Sequence, residues 1–184
     1  MFQVSAPLLS LSLLVKLTHR RWCIPALAEF AHGGNAKFIT LAHRLGCGRG
    51  ALSASLKHLI DLELVMRNSG MGHPLRPEYL LTDQGHAIAQ PCARLHDQVT
   101  AWNGQGLAYR KWSLPLIMAV GPTQQRFNDL KKSLDPISPR ALALSLQHLE
   151  HGAFVARAVT AHYPPIAHYS LLQKGEQLLY RLSI

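Results

Sequence analysis

Residues 51–59 read ALSASLKHL, and residues 141–149 read ALALSLQHL, 90 positions later. The reading of that pair decides the fold. In the second stretch Leu142, Leu146 and Leu149 recur at i, i+4 and i+7, the spacing of a helix that buries one stripe. Ser138 precedes it as a good N-cap, Pro139 takes the first helical position and Gly152 closes it. The same spacing in the first stretch predicts an equivalent helix over 49–62.

Working outward, the likeness continues. RRWCIPAL at 20–27 returns as RKWSLPLI at 110–117. Val65, Arg67, Pro74, Tyr79, Leu81 and Gly85 are matched by Val155, Arg157, Pro164, Tyr169, Leu171 and Gly175. Between these blocks the register slips by one, so that Phe38, Leu41 and Leu45 pair with Phe127, Leu130 and Leu134. A single-residue change at a turn is the kind of change loops absorb. A period this long marks a duplicated domain and not a solenoid.

Each copy reads as helix, helix, turn, helix, then a β-hairpin with a long loop. In the first copy the expected helices cover 20–31, 36–45 and 49–62, the hairpin 65–69 and 78–82, and a long helix 83–102. In the second copy an apolar helix stops at Gly121-Pro122, a short amphipathic helix carries Phe127, Leu130 and Leu134, and a last helix starts near Lys174. The fold class is mainly α with small β-hairpin wings: two tandem winged helix-turn-helix domains, 1–103 and 107–184. The boundary is set in Asn103-Gly104-Gln105-Gly106, a non-periodic stretch expected to be flexible.

Bulk properties agree with a polyanion-binding protein. The chain has 184 residues, is 48% hydrophobic and 16% charged, and carries a formal net charge of +9. That composition buries a core and attracts nucleic acid. Residues 1–106 hold 10 Lys+Arg against 6 Asp+Glu, and residues 107–184 hold 9 against 4, so both copies are basic. Three dispersed cysteines, Cys23, Cys47 and Cys92, make neither a disulfide framework nor a zinc pattern, which fits a reducing cytoplasm. The apolar run from Ala6 to Val15 lacks a preceding positive charge and is too short for a bilayer, so it reads as a packed N-terminal helix and not as a leader or a membrane span.

With the leucine stripe inward, Arg49, Ser53 and Lys57 form an outward row on the first reading helix, and Arg140, Ala143, Leu144 and Gln147 hold the comparable positions on the second. Arg and Lys neutralise phosphate or read guanine, and Gln reads adenine. Ser138, Arg126, Lys131 and Lys132 add polar and cationic groups around the second copy's turn. The wings carry Arg67, His73 and Arg76, then Arg157, His162 and His168, where a basic loop meets the negative potential of a groove.

The second copy resembles the HxlR-type winged-helix regulators, relatives of the MarR group. The resemblance rests on Lys111-Trp112 with Leu114, Leu116 and Ile117, on Arg126-Phe127-Asn128-Asp129-Leu130, on Ile137-Ser138-Pro139-Arg140 with Leu142 and Leu146, and on Pro164-Pro165 leading into Tyr169-Ser170-Leu171 and Lys174-Gly175. In the first copy Tyr79-Leu80-Leu81-Thr82, Gly85, Pro91 and Trp102 are similar to the family's wing strand and dimerisation helix. The resemblance implies a transcriptional regulator that binds double-stranded DNA, third helices in the major groove and wings on the minor groove or backbone. It also implies two-fold pairing, either between chains as a homodimer or within one chain as an internal pseudo-dimer. Only nine residues follow Gly175, too few for a counterpart of the 83–102 helix, so the pairing is expected to be asymmetric or the long helix to join two chains.

Other chemistries find little support. Leu144 offers no donor or acceptor, though it can touch a thymine methyl; the alternative it suggests is an interaction module that has lost sequence readout. Cys47, in Gly46-Cys47-Gly48-Arg49, is a candidate redox thiol if the helix dipole with Arg44 and Arg49 lowers its pKa. Cys23 is expected in the core and Cys92 on a helix surface. The 11 histidines are scattered, so neither a metal nor another cofactor is expected. No nucleophile elbow, P-loop or zinc-protease motif supports an enzyme. A small-molecule effector is a variant that a pocket between the copies would favour.

Overall fold

The computed structural model describes residues 9–33, 36–68, 78–161 and 163–183. The chain enters on α1 (Leu11–Leu17), capped by Ser10, whose hydroxyl accepts from the Leu13 amide at 3.2 Å. Leu9, Leu14 and Leu17 are buried, so the apolar N-terminal run packs as a helix where it is described.

The first repeat follows as α2 (Cys23–Gly33), β1 (Ala36–Lys37), α3 (Phe38–Leu45), α4 (Arg49–Asp61), β2 (Val65–Asn68), β3 (Glu78–Leu81) and α5 (Asp83–Ala101). After α6 (Gln105–Ala108) the second repeat gives α7 (Ser113–Val120), β4 (Gln125–Arg126), α8 (Phe127–Ser133), α9 (Pro139–His151), β5 (Val155–Val159), β6 (Ala167–Leu171) and α10 (Gln173–Ser183). Each repeat is a helix-turn-helix followed by a wing.

The copies agree down to single hydrogen bonds. Val65 pairs with Leu81 and Arg67 with Tyr79; Val155 pairs with Leu171 and Arg157 with Tyr169. The Thr82 amide donates to the Leu64 carbonyl at 3.1 Å, and the Leu172 amide to the Phe154 carbonyl at 2.9 Å. Between reading helix and wing, Glu63 (φ 58°) and Ala153 (φ 57°) both take the left-handed conformation that reverses the chain out of the helix. Gly85 and Gly175 sit in the first turn of α5 and α10, where a Cβ would fall on the carbonyl oxygens of Leu64 and Phe154 respectively. Glycine lets each helix start against the strand backbone.

Four expectations need correction. Each wing is a three-stranded sheet, ordered β1-β3-β2 and β4-β6-β5, and not a bare hairpin. The extra strands pair Ala36-Lys37 with Tyr79 and Glu78, and Gln125-Arg126 with Tyr169 and His168. Accordingly, the helix expected from 36 begins at Phe38, and the one expected from 20 begins at Cys23. The 103–106 stretch, expected to be flexible, is folded: the Gly104 amide donates to the Val99 carbonyl at 2.8 Å, and α6 delivers Ala108 and Tyr109 to the core. Cys92, expected on a helix surface, is fully buried. Its helix packs α2 on one side and α10 on another, so Ile88, Ala89, Cys92, Ala93, Leu95 and Val99 cover more than one stripe.

Those contacts join the repeats. α10 packs on α5, α1 packs on α7, and the buried side chains of both repeats form one continuous apolar core. Contact between the repeats is thus present within the chain.

Candidate nucleic-acid interface

The helix-turn-helix of the first repeat is α3 and α4. Leu52, Leu56 and Leu59 bury one face of α4, which turns Arg49, Ser53 and Lys57 to solvent. In the second repeat α8 precedes α9, whose buried Leu142, Leu146 and Leu149 turn Arg140, Ala143, Leu144 and Gln147 outward. Leu144 is 50% exposed, a large apolar side chain with no protein partner for half its surface.

Nearby polar groups divide into those already engaged and those at liberty to meet a ligand. Ser138 caps α9, its hydroxyl accepting from the Ala141 amide at 3.2 Å, which leaves its own proton available to an acceptor. Gly48 caps α4 without a side-chain bond. Ser55 is buried and donates to the Ala51 carbonyl at 2.9 Å, so it serves the helix and not the surface. Lys131 pairs with Asp135 at 3.5 Å and is only about a third exposed at 32%. Arg126 and Lys132 are exposed, as are Arg67 and Arg157 on the wing strands. His73, Arg76 and His162 lie outside the described residues.

Lys37 was missed in the sequence. It ends β1 and serves as the N-terminal boundary residue of α3, as Arg126 ends β4 and bounds α8, and both are exposed. The signal was present in the one-residue register slip: aligning Phe38 with Phe127 aligns Lys37 with Arg126.

The histidines shared by the reading helices have an architectural use. His58 donates from Nε2 to the Lys16 carbonyl at 2.9 Å. Its counterpart His148 accepts from Arg110 Nη1 at 2.8 Å. Each ties a reading helix to the segment ahead of its unit's first helix. Among the described residues, no group of three or more His, Cys, Asp or Glu converges to hold a metal.

The thiols depart from the expected redox site. Cys47 is half-buried, and desolvation pushes its pKa up, the reverse of the expected activation by Arg44 and Arg49. Burial also pushes Cys23 and Cys92 up to about 12. A raised pKa keeps each thiol protonated and unreactive near neutral pH. Alkylation of native protein at pH ~8 is therefore expected to label Cys47 alone, and more slowly than a free thiol, while unfolding exposes all three. Peptide mapping checks this; labelling of Cys47 faster than glutathione at pH ~6 would contradict it.

A cavity of about 250 Å³ opens in the first repeat, against the segment that leads to the second, lined among others by Arg21, Trp22, Glu29, Arg44, His96 and Tyr109. Arg44 pairs with Glu29 at 3.6 Å. The Tyr109 hydroxyl lies 2.6 Å from His96 Nδ1. Burial raises the tyrosine pKa and lowers the histidine pKa from 6.5, so the hydroxyl donates to a neutral imidazole. Charging His96 is harder in the folded chain than in the unfolded one. Its contribution to stability is thus complete above pH ~6.5 and is lost as pH falls below that value. Urea midpoints at pH ~7.5 and ~5.5 are expected to converge when His96→Gln is compared with the wild type, because the variant lacks this loss. An unchanged gap would refute the assignment.

The repeated helix-turn-helix, its three-stranded wing and the cationic outward faces define a tandem winged-helix protein. The sequence profile of the HxlR-like helix-turn-helix family matches residues 17–106 and again 107–183. The chain belongs to that family. It is 35% identical over 68 residues to YtfH of Escherichia coli (strain K12) and 34% identical over 68 residues to YdeP of Bacillus subtilis (strain 168), both named uncharacterized HTH-type transcriptional regulators. Each match covers 37% of this chain, and the chain spans about half the length of these relatives, 54% and 53%. Among solved structures, the reduced form of the transcriptional regulator YodB from Bacillus subtilis is similar at 26% identity and a TM-score of 0.41, covering 44% of this chain and 79% of that one. Among the described residues, no helix is long and apolar enough to cross a membrane.

Proposed function

We propose that the chain is a DNA-binding transcriptional regulator, and not an enzyme, acting on double-stranded DNA in the cytoplasm. Two winged-helix units, 1–103 and 107–184, each offer a reading helix to the major groove and a wing to the minor groove or backbone. The contact set is Arg49, Ser53, Lys57 and Arg67, with His73 and Arg76, in the first unit. In the second it is Arg126, Lys131, Lys132, Ser138, Arg140, Gln147 and Arg157, with His162. Lys37 joins them.

One observation carries the reading: a cation-bearing outward helix face occurs twice on one basic chain, each followed by a wing arginine exposed in the same strand register. On α9 the exposed Arg140 and Gln147 lie one turn either side of Leu144, so the apolar surface of Ala143 and Leu144 is narrow. The cavity of the first repeat, lined by cations, aromatic rings and a carboxylate, is the place for a small effector.

The test is fluorescence anisotropy with labelled genomic duplexes at about 50 mM salt. Binding of some fragments in preference to others is expected. Absence of binding, or binding indifferent to sequence, would overturn specific regulation.

A further inference from the structure

We propose that the two reading helices recognise unlike half-sites, a guanine-bearing half under α4 and a thymine- and adenine-rich half under α9, so that the operator is not a palindrome. The inference rests on the DNA-binding reading above and concerns what that surface selects.

The two helices permit a position-by-position comparison inside one molecule. Inward, Leu52, Ser55, Leu56 and Leu59 are matched by Leu142, Ser145, Leu146 and Leu149 without a difference. Outward, Gly50, Ser53, Ala54 and Lys57 correspond to Arg140, Ala143, Leu144 and Gln147 and all four differ, while Ala51 and His58 recur as Ala141 and His148. The same buried stripe fixes the same rotation of each helix, so the same positions meet the groove with different chemistry.

On α4 the exposed row presents the Arg49 guanidinium, the Ser53 hydroxyl and the Lys57 ammonium. Such donors suit the N7 and O6 acceptors of guanine. On α9 Arg140 keeps a guanidinium in the first turn, but beyond it the Ala143 methyl and the half-exposed Leu144 present an apolar step, with the Gln147 amide where α4 has the Lys57 ammonium. An apolar side chain in the major groove has one attractive partner on a base edge, the thymine 5-methyl, and an amide pairs with adenine N6 and N7. Covering Leu144 with that methyl removes apolar surface from water.

A regulator built from two identical chains presents identical helices and is matched by a two-fold symmetric site. This chain supplies its second helix from a diverged copy held in the same core. Nothing in its surface imposes equal halves.

Selection of duplexes from a random library by the full chain is expected to return a bipartite motif with unlike halves. In the selected duplex, replacing thymine by uracil in the α9 half removes only the methyl and is expected to weaken binding about three- to fivefold. Leu144→Ala, at an exposed position, is expected to lose that sensitivity while retaining the preference in the other half. Lys57→Gln is expected to move the α4 half from guanine toward adenine without altering the α9 half. A palindromic consensus, or a uracil effect equal in wild type and Leu144→Ala, overturns the inference. Failure to enrich any duplex is a different result, because it removes the DNA-binding reading itself.

Discussion

Raising salt from about 50 to about 200 mM is expected to weaken duplex binding by roughly 10³- to 10⁴-fold. Exposed cations on the reading helices, the turns and the wings are Lys37, Arg49, Lys57, Arg67, Arg126, Lys132, Arg140 and Arg157, eight among the described residues. Each phosphate neutralised releases condensed counterion and adds about −0.9 to the slope of log affinity against log salt, giving about −7 for all of these. Lys131 is left out because Asp135 holds it at 3.5 Å. Arg157→Gln, on a wing strand, is expected to flatten the slope by about one unit and to weaken all sequences alike. A titration yielding a slope near zero would exclude this surface as the DNA contact.

Gly85→Ala and Gly175→Ala are each expected to lower the unfolding free energy by about 2–4 kcal/mol, read as a fall in the urea midpoint. In either case the new Cβ lands on backbone, the Leu64 or the Phe154 carbonyl oxygen, which no side-chain rotation can clear. Relief requires α5 or α10 to lift from its wing, and those helices carry the contact between the repeats. Gly50→Ala is the control: it lies in α4 with no atom near its absent Cβ, and is expected to stabilise by about 0.5–1 kcal/mol. A wild-type midpoint for Gly175→Ala would show that the helix and strand are not pressed together as described.

The sequence made these glycines visible as a matched pair before their purpose was known, and the same comparison exposed the leucine stripes, the wing strands and the outward rows. Repetition amplifies weak local signals, since a pattern seen twice at one spacing is not an accident of composition. What it could not display were features without a period. β1 and β4 are two residues long, below the length at which alternation can be recognised. Cys92 was expected on the surface although it continues the spacing of Ile88, Leu95 and Val99, a stripe that α2, remote in the chain and carrying Cys23, covers. The direction of the Cys47 pKa depended on desolvation, which has no counterpart in a row of letters. Lys37 required the register slip to be applied to its neighbours.

The placement of Leu178 and Leu182 of α10 in the one body that also holds Leu95 and Val99 of α5 has a genetic corollary. In a regulator assembled from separate subunits, a defective allele poisons mixed pairs and interferes dominantly. Acting on DNA as a single copy, as the proposed function allows, every polypeptide would bring its own two readers, so a damaged product would leave intact ones working and site occupancy would follow the first power of protein dosage. Such a gene would tolerate heterozygous or plasmid-borne lesions that would silence a paired relative.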